Sequence, residues 1–397
     1  MAGLVIKPRS RILRGHDWVY TSEVLKIFGE PEPGDVVSLK DGRDRMLGSA
    51  IYNPSSQIVA RRFSRQRQDL DRDFFDRRLR LAMLQRERDG YLLQSKGCFR
   101  LVHSEGDGLP GVIVDCYDQV LVLQTLTWAM DQRRELIVAA LAELFKPVAI
   151  LERNDAPIRK AEGLEARVGC LFGEPPDRSE VFFAGAKQMI EWNPDDDAGG
   201  HKTALYLDQA ANYSLVANMA ADKKVLDCFS YRGAFAIACA LAGARSVEAW
   251  EISARHTEAI RENAQANGVE VEARCVNVFD ELRRASQAKQ EYDLVILDPP
   301  SFTKSKGRLQ EAWRGYKEIH VRAMQLLRPG GLLVSFSCSH HMTAALLFEV
   351  IEESLLDAKS SARVHQQLRQ GLDHPVLVHM PETSYLHGYV LEMMPGR

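Results

Sequence analysis

The second half of the chain alternates short apolar runs with longer amphipathic stretches. "KKVLDCFSY", "SVEAWEIS", "VEARCVNVF", "YDLVILDPP" and "GGLLVSFSCS" each have the length of a strand, and helical segments lie between the first four and before the fifth. Strands this poor in polar residues need cover on both faces, and alternation with helices supplies it by building a parallel sheet. An α/β fold is therefore expected there. Ligands of such sheets bind at the carboxyl ends of the strands, so those ends are where chemistry should be sought.

The 397 residues are too many for one core, and texture divides them further. Residues 1–68 show short strand-like runs, "DVVSLK" and "QIVARRF", between turns such as "PEPGD", "KDGRD" and "YNPSS", and read as a small β-rich domain. "DRDFFDRRLRLAMLQRERDGYL" has helical period, with Phe74, Phe75, Leu79, Ala82 and Met83 on one side. "LPGVIVDCYDQVLVLQTLT" reads as two strands, "RELIVAALAELF" as a helix, and "AILERND", "EARVGCLFG" and "VFFAGAKQMIEW" as further strands. Residues 73–190 are thus expected to form a central α+β domain. The polar "NPDDDAGG" then leads into the α/β domain, 191–397.

The net charge of −3 conceals an asymmetry. Residues 1–100 carry 20 Lys+Arg against 13 Asp+Glu, whereas the remainder carries 31 against 41. The N-terminal part is suited to a phosphate-bearing partner, or else is simply a solvated basic surface. No apolar run approaches the roughly 18 residues of a membrane span, and the start lacks the features of a signal peptide, so a cytoplasmic protein with no membrane partner is expected. Seven cysteines without any C-x-x-C pair argue against a zinc site or disulfide framework. No metal is expected. The oligomeric state is left open, a homodimer being one option.

At the strand ends the residues are specific. The first run ends in Asp227 and a loop containing Gly233, where the backbone can approach a ligand and open a helix. Glu251 follows twenty-four residues after Asp227, the place of a carboxylate that accepts from ribose hydroxyls. The single glycine in place of a full G-x-G-x-x-G favours a nucleoside ligand over a dinucleotide. Asn277 or Asp280 at the third end is placed to meet an adenine edge. The fourth run ends in "LDPPSF": two prolines stop the strand and hold Asp298 and the Pro299 carbonyl toward an amino-bearing ring, on which Phe302 can stack. The fifth ends on Cys338.

"LDCFSYRGAF", "WEIS", "DPPSF" and "SFSCS", in this order, resemble the class I S-adenosylmethionine-dependent methyltransferases, with their Rossmann-like domain. "GHKTALYLDQ" resembles the lead-in of the large-subunit ribosomal RNA cytosine-5 methyltransferases of the RlmI type, and "LRGHDWVYTSEV" with "GDVVSL" resembles that family's PUA RNA-binding domain. The likeness spans nearly the whole chain. It implies S-adenosylmethionine as cofactor and 23S ribosomal RNA as partner. It implies that Asp227, Ser230, Tyr231 and Gly233 surround the methionine end of the cofactor, Glu251 its ribose and Asn277 its adenine. It further implies Asp298 in the cleft where donor meets base and Cys338 as nucleophile. Gln209 is expected at the cofactor, and Lys202, Arg61 and Arg62 at RNA. The chain departs from the family in Ala234, where relatives carry a second glycine, and in Asn277, where they carry an aspartate.

Cys338 discriminates between chemistries. Carbon 5 of cytosine becomes nucleophilic only after a thiolate adds to carbon 6, whereas an exocyclic amine needs no such help. A buried core cysteine would instead leave an RNA N-methyltransferase, and a vestigial pocket a non-catalytic RNA-binding or ribosome-assembly protein. His340 and His341 are candidates to lower the thiol pKa. "FTKSKGRLQEAWRGYKEI", basic with interleaved aromatics, reads either as a mobile loop over substrate or as a solvated helix.

Overall fold

Two units, each with its own core, account for the chain: Met1–Val181 with Ile190–Leu207 and Leu372–Thr383, and Phe182–Met189 with Asp208–Gly371 and Ser384–Arg397. The computed structural model describes residues 2–93, 95–192, 203–302, 306–339 and 341–395. The "NPDDDAGG" boundary, Lys202 and His340 lie outside the described residues.

In the first unit the turn-punctuated start forms a six-stranded sheet in the order Trp18–Tyr20, Ile58–Ser64, Met46–Tyr52, Val36–Asp41, Gly3–Ile6, Val24–Phe28. It is antiparallel apart from the pairing of Gly3–Ile6 with Val36–Asp41. A second sheet orders Arg167–Gly173, Ala149–Asn154, Val120–Thr125, Val112–Tyr117 and Cys98–His103. The helix Arg72–Arg88 buries Phe74, Phe75, Leu79 and Ala82 in one cluster with Leu101, Val114, Leu123 and Ile137, the face that its periodicity marks. Asp71 caps it by accepting from the Phe74 amide. "VFFAGAKQMIEW", expected as strand, folds within a two-stranded hairpin, Arg178–Phe183 and Ala186–Glu191, whose turn is assigned to the second unit. Ala184 (φ +50°) and Gly185 (φ +84°) turn it, as a two-residue hairpin loop demands.

The second unit holds a seven-stranded sheet: β1 (Lys224–Cys228), β2 (Ser246–Glu251), β3 (Glu272–Cys275), β4 (Tyr292–Leu297), β5 (Leu327–Ser337), β6 (Ala362–Arg369) and β7 (His387–Met393). Their spatial order is 3-2-1-4-5-7-6. The first five are parallel, as expected; β7 is antiparallel to both β5 and β6. The sheet is mixed because β7 returns from β6 without an α-helical crossover, whereas the helix Ala344–Asp357 carries the chain from β5 to β6; β6, mostly exposed and polar, gives no apolar run to read. Helices Val278–Gln287, Leu309–Gln325 and Ala344–Asp357 share a core cluster with Leu226, Cys228, Trp250, Val295, Leu297 and Leu333. On the opposite side Phe235, from the helix Ala234–Leu241, stacks on Phe336. No helix among the described residues is long and apolar enough to cross a membrane.

Candidate active site

The loop after β1 is strained in a way that suits close approach. Phe229 (φ +62°), Tyr231 (φ +53°) and Gly233 (φ +82°) take left-handed conformations, which side-chain-bearing residues adopt at a cost. At Gly233 a Cβ would sit 3.0 Å from Ile260. Just before the loop, on β1, lies the buried Asp227. Its Oδ2 accepts from Ser230 Oγ at 2.5 Å and from the Ala236 amide at 3.2 Å, while its Oδ1, also buried, has no hydrogen-bond partner among the described residues. Burial, with the charge of Asp298 adding to it, pushes the Asp227 carboxyl up to about 7, against the opposing Ser230 bond. A half-satisfied carboxyl of this kind fits an incoming cation, such as the amino group of a methionine moiety.

Glu251 ends β2. Its Oε2 accepts from the Tyr231 amide and its Oε1 from the Ser253 amide, each at 2.9 Å, and His256 Nδ1 lies 3.9 Å from Oε1. Burial opposes its ionisation, but His256 and the two amides outweigh burial and hold the carboxyl below its ordinary range. Glu251 therefore remains an anionic acceptor suited to hydroxyls.

Asn277 stands just beyond β3, where its Oδ1 accepts from Phe279 N at 3.0 Å and Asp280 N at 3.4 Å as N-cap of the next helix. The helix begins at Val278, earlier than "VNVF" suggests, because Asn277 caps it. With its acceptor so occupied, what the side chain offers an adenine is its Nδ2 donor. Asp298 follows β4 directly, half-buried, and Gln209 Nε2 donates to its Oδ2 at 3.0 Å. Asn212 Nδ2 donates in turn to Gln209 Oε1 at 2.6 Å. Pro299 is buried. Phe302, expected to be available for stacking, is packed against Tyr316 (ring centroids 4.7 Å) and Phe279 (5.7 Å), which gives it a wall-forming role.

Cys338 follows the last residue of β5 and is half-buried, unlike the buried Cys98, Cys116, Cys228 and Cys239. The parallel register sets Leu297 of β4 beside Ser335 of β5, so Asp298 and Cys338 emerge from adjacent strand ends. The serines around the thiol are tied from behind. Ser335 Oγ bonds His320 Nε2 at 2.7 Å, and Ser337 Oγ accepts from Tyr316 OH at 3.0 Å. Burial raises the Tyr316 phenol, and the charges of Cys338 and Asp298 raise it further. Burial also holds His320 neutral, its pKa pushed down to about 4. His341 donates its amide to Ser339 Oγ at 3.4 Å. Tyr316, His320, Asn212 and His256 are site residues that sequence reasoning missed. The first two lie on the helix Leu309–Gln325, Tyr316 within and His320 just after the stretch read either as a mobile loop or as a solvated helix; the spacing Tyr316, Ile319, His320, Ala323 was the signal for its buried face.

Arg61 and Arg62, expected at RNA, are turned to internal work within the first unit. Arg61 pairs with Glu105 at 2.9 Å and Glu162 at 3.1 Å. Arg62, buried, meets Asp17 at 2.8 Å and the carbonyls of Gly15, His16 and Leu47. Two adjacent arginines on a central strand fold inward because carboxylates await both.

A sheet ordered 3-2-1-4-5-7-6 with carboxylates at the ends of β1, β2 and β4 defines an S-adenosylmethionine-dependent methyltransferase. Residues 167–375 match the S-adenosylmethionine-dependent methyltransferase family, and residues 7–65 the PUA-like domain family. The ribosomal RNA large subunit methyltransferase I of Klebsiella pneumoniae is 38% identical over 392 residues, 96% of each chain, and that of Vibrio cholerae 37% over 401 residues, 98% of each. Among solved structures, a methyltransferase complexed with SAH superposes with TM-score 0.83 at 22% identity, and one from Streptococcus mutans with TM-score 0.82 at 22% identity. Each covers 99% of this chain and 100% of its own. The chain belongs to the ribosomal RNA large subunit methyltransferase I family, and its cofactor is S-adenosylmethionine.

Proposed function

We propose that this enzyme methylates carbon 5 of a cytosine in 23S ribosomal RNA through a covalent adduct with Cys338. The observation that carries the reading is a half-buried thiol at the end of β5, beside the strand end that presents Asp298. In this reading residues 1–68 form the RNA-binding PUA domain, 73–190 the central domain and 191–397 the catalytic domain, acting in the cytoplasm.

Asp227, Ser230, Tyr231 and Gly233 would hold the methionine end of the cofactor, Glu251 its ribose hydroxyls and Asn277 its adenine. When bound, the cofactor supplies an electrophilic methyl group. The protein's part is to make carbon 5 able to take it. The target base is turned out of its stack. Cys338 Sγ, as thiolate, bonds to carbon 6; the electron pair of the C5–C6 double bond shifts toward carbon 4, and ring nitrogen 3 takes a proton from Asp298, whose carboxyl the Gln209 amide orients. This leaves an enamine whose carbon 5 is the nucleophile. After carbon 5 is methylated a base removes its proton, the C5–C6 double bond re-forms, the Sγ–C6 bond breaks, and nitrogen 3 returns its proton. The packed Phe302 walls the pocket that receives the ring.

Cys338→Ala should abolish methyl incorporation into large-subunit RNA while calorimetry still shows S-adenosylmethionine binding. Wild-type turnover by that variant would sink the covalent mechanism. Nucleoside mass spectrometry of the product separates 5-methylcytosine from an N-methylated base.

A further inference from the structure

In the arginine-rich stretch 61–88, Arg65, Arg67, Arg78 and Arg80 have no carboxylate partner among the described residues, and two of them, Arg65 and Arg78, share a groove. Arg61, Arg62 and Arg86 are paired inside the first unit. Arg65 is exposed, with no hydrogen bond or ion pair among the described residues. Arg78 is half-buried: its Nη2 donates to the Phe63 carbonyl at 3.0 Å and its guanidinium lies 5.5 Å from the Phe74 ring centre, with no carboxylate partner. Desolvation, with the neighbouring Arg77 charge, holds its pKa below the ordinary arginine value. Gly108 (φ +69°) makes room for it, since a Cβ there would come within 2.9 Å of Arg78 Nη1.

Both arginines line one groove of about 540 Å³, together with Gln66, Leu81, Gln85 and His379. Three carboxylates also border it, and each already has a cationic partner. Asp17 is held by Arg62 and His379, Asp107 by Arg86, and Glu105 by Arg61, which it shares with Glu162. The groove therefore presents two arginines without a carboxylate partner among the described residues, the amides of Gln66 and Gln85 and, in Leu81 at 57% exposure, an apolar side chain. Its volume lies within the roughly 300–1,000 Å³ of ligand-sized clefts. A chain of anionic groups with apolar surface beside it is the matching chemistry, and single strands offer both, whereas an A-form duplex keeps its base faces stacked away.

We propose that this groove binds the sugar-phosphate backbone of a single-stranded segment of the RNA substrate, with Arg65 and Arg78 as the phosphate contacts. The inference rests on the RNA reading above. Fluorescence anisotropy of the full-length protein with a labelled single-stranded RNA of about 12 nucleotides, titrated over a range of salt, tests it. Arg65→Glu should weaken binding at least about tenfold, and the slope of log affinity against log salt should shrink by about 0.7 for each phosphate contact removed. Arg78→Gln should act in the same direction, and calorimetry should find S-adenosylmethionine binding unchanged in both. If Arg78→Gln misfolds, Arg65→Glu decides alone, because its side chain is exposed. Unchanged affinity and slope in Arg65→Glu would overturn the proposal, as would an equal loss on a duplex of the same sequence. The two readings fail separately. Wild-type protein that methylates RNA, with an Arg65→Glu variant binding single strands normally, removes the groove alone. Arg65-dependent binding without 5-methylcytosine formation removes the cytosine chemistry alone.

Discussion

The first unit and the strand-end rim of the second treat buried carboxylates in opposite ways, although away from that rim the second unit too closes acids with arginines, Glu281 with Arg274 and Arg284 and Asp293 with Arg245. In the first, acids meet guanidinium groups: Arg86 grips Asp107 at 2.6 and 2.8 Å, Arg100 grips Asp115 at 2.8 and 3.0 Å, and Arg159 meets Asp131 at 2.9 Å. At the rim of the second unit's sheet, Asp227 meets only a hydroxyl and an amide, and Glu251 two amides and a histidine. A charge closed by its opposite inside the chain is finished as a ligand site. A carboxylate held by neutral donors keeps an affinity for a cation or hydroxyl that arrives later. The difference separates acids that hold the fold from acids that wait for a cofactor.

Deleting one partner on each side should therefore have contrasting results. Arg86→Ala leaves Asp107, 3% exposed, without its cation, and should cost about 3–5 kcal/mol of stability, the usual penalty for breaking a buried pair. Urea unfolding measures it, and a loss below about 1 kcal/mol would erase the contrast. Asp227→Asn should leave the unfolding midpoint at pH 8 unchanged or raised. The carboxyl is lifted to about 7 in the folded protein, so the stability it contributes is fully present below its ordinary pKa and is lost as pH rises through 7; the amide removes that loss. The same variant should bind S-adenosylmethionine about 10- to 100-fold more weakly by calorimetry, the worth of a charge-assisted hydrogen bond.

A smaller effect follows from the same carboxyl. If the ionised Asp227 is the form that receives the cofactor's amino group, the competent fraction rises from about one-tenth at pH 6 to about nine-tenths at pH 8. Affinity for S-adenosylmethionine should then rise about tenfold over that interval in wild type and stay flat in Asp227→Asn. A wild-type profile as flat as that of the variant would show that Asp227 is not the acceptor.

What was legible in the sequence divides along the same line. Strand ends are marked by local chemistry: Asp227 before a glycine loop, Glu251 after an apolar run and Asp298 before two prolines could all be placed on one rim without coordinates. β6 and β7 could not, because "ARVHQQLR" has no apolar period and its register comes from pairing with a strand that follows it in sequence. Arg61 and Arg62 resembled a nucleic-acid contact because their carboxylate partners, Glu105, Glu162 and Asp17, lie up to 101 residues away. Charge composition reports how many arginines a region has, and only the fold reports which remain unpaired. At Asn277 the sequence left a second task unread for a related reason: its position at a strand end suggested adenine, while its Oδ1 also caps the helix that begins one residue on.

The smallest effect tests whether the second unit's buried polar groups serve the reacting thiol or merely the core. Ser337 Oγ accepts from Tyr316 OH at 3.0 Å and from the Ser339 amide at 3.4 Å, so a single oxygen ties both residues flanking Cys338 to the helix Leu309–Gln325. Tyr316→Phe removes one of these bonds without changing the packed ring, at a cost of about 0.5–1.5 kcal/mol. Because the hydroxyl reaches the chain beside Cys338 and not the cofactor loop, kcat should fall several-fold while KM for S-adenosylmethionine stays the same. Cys338 should also be alkylated by iodoacetamide at an altered rate, a readout that loss of global stability alone would not move. If Tyr316→Phe lowers stability but leaves both kcat and alkylation untouched, this hydroxyl belongs with Arg86 among the groups that hold the fold, and the contrast between the units narrows to Asp227 and Glu251.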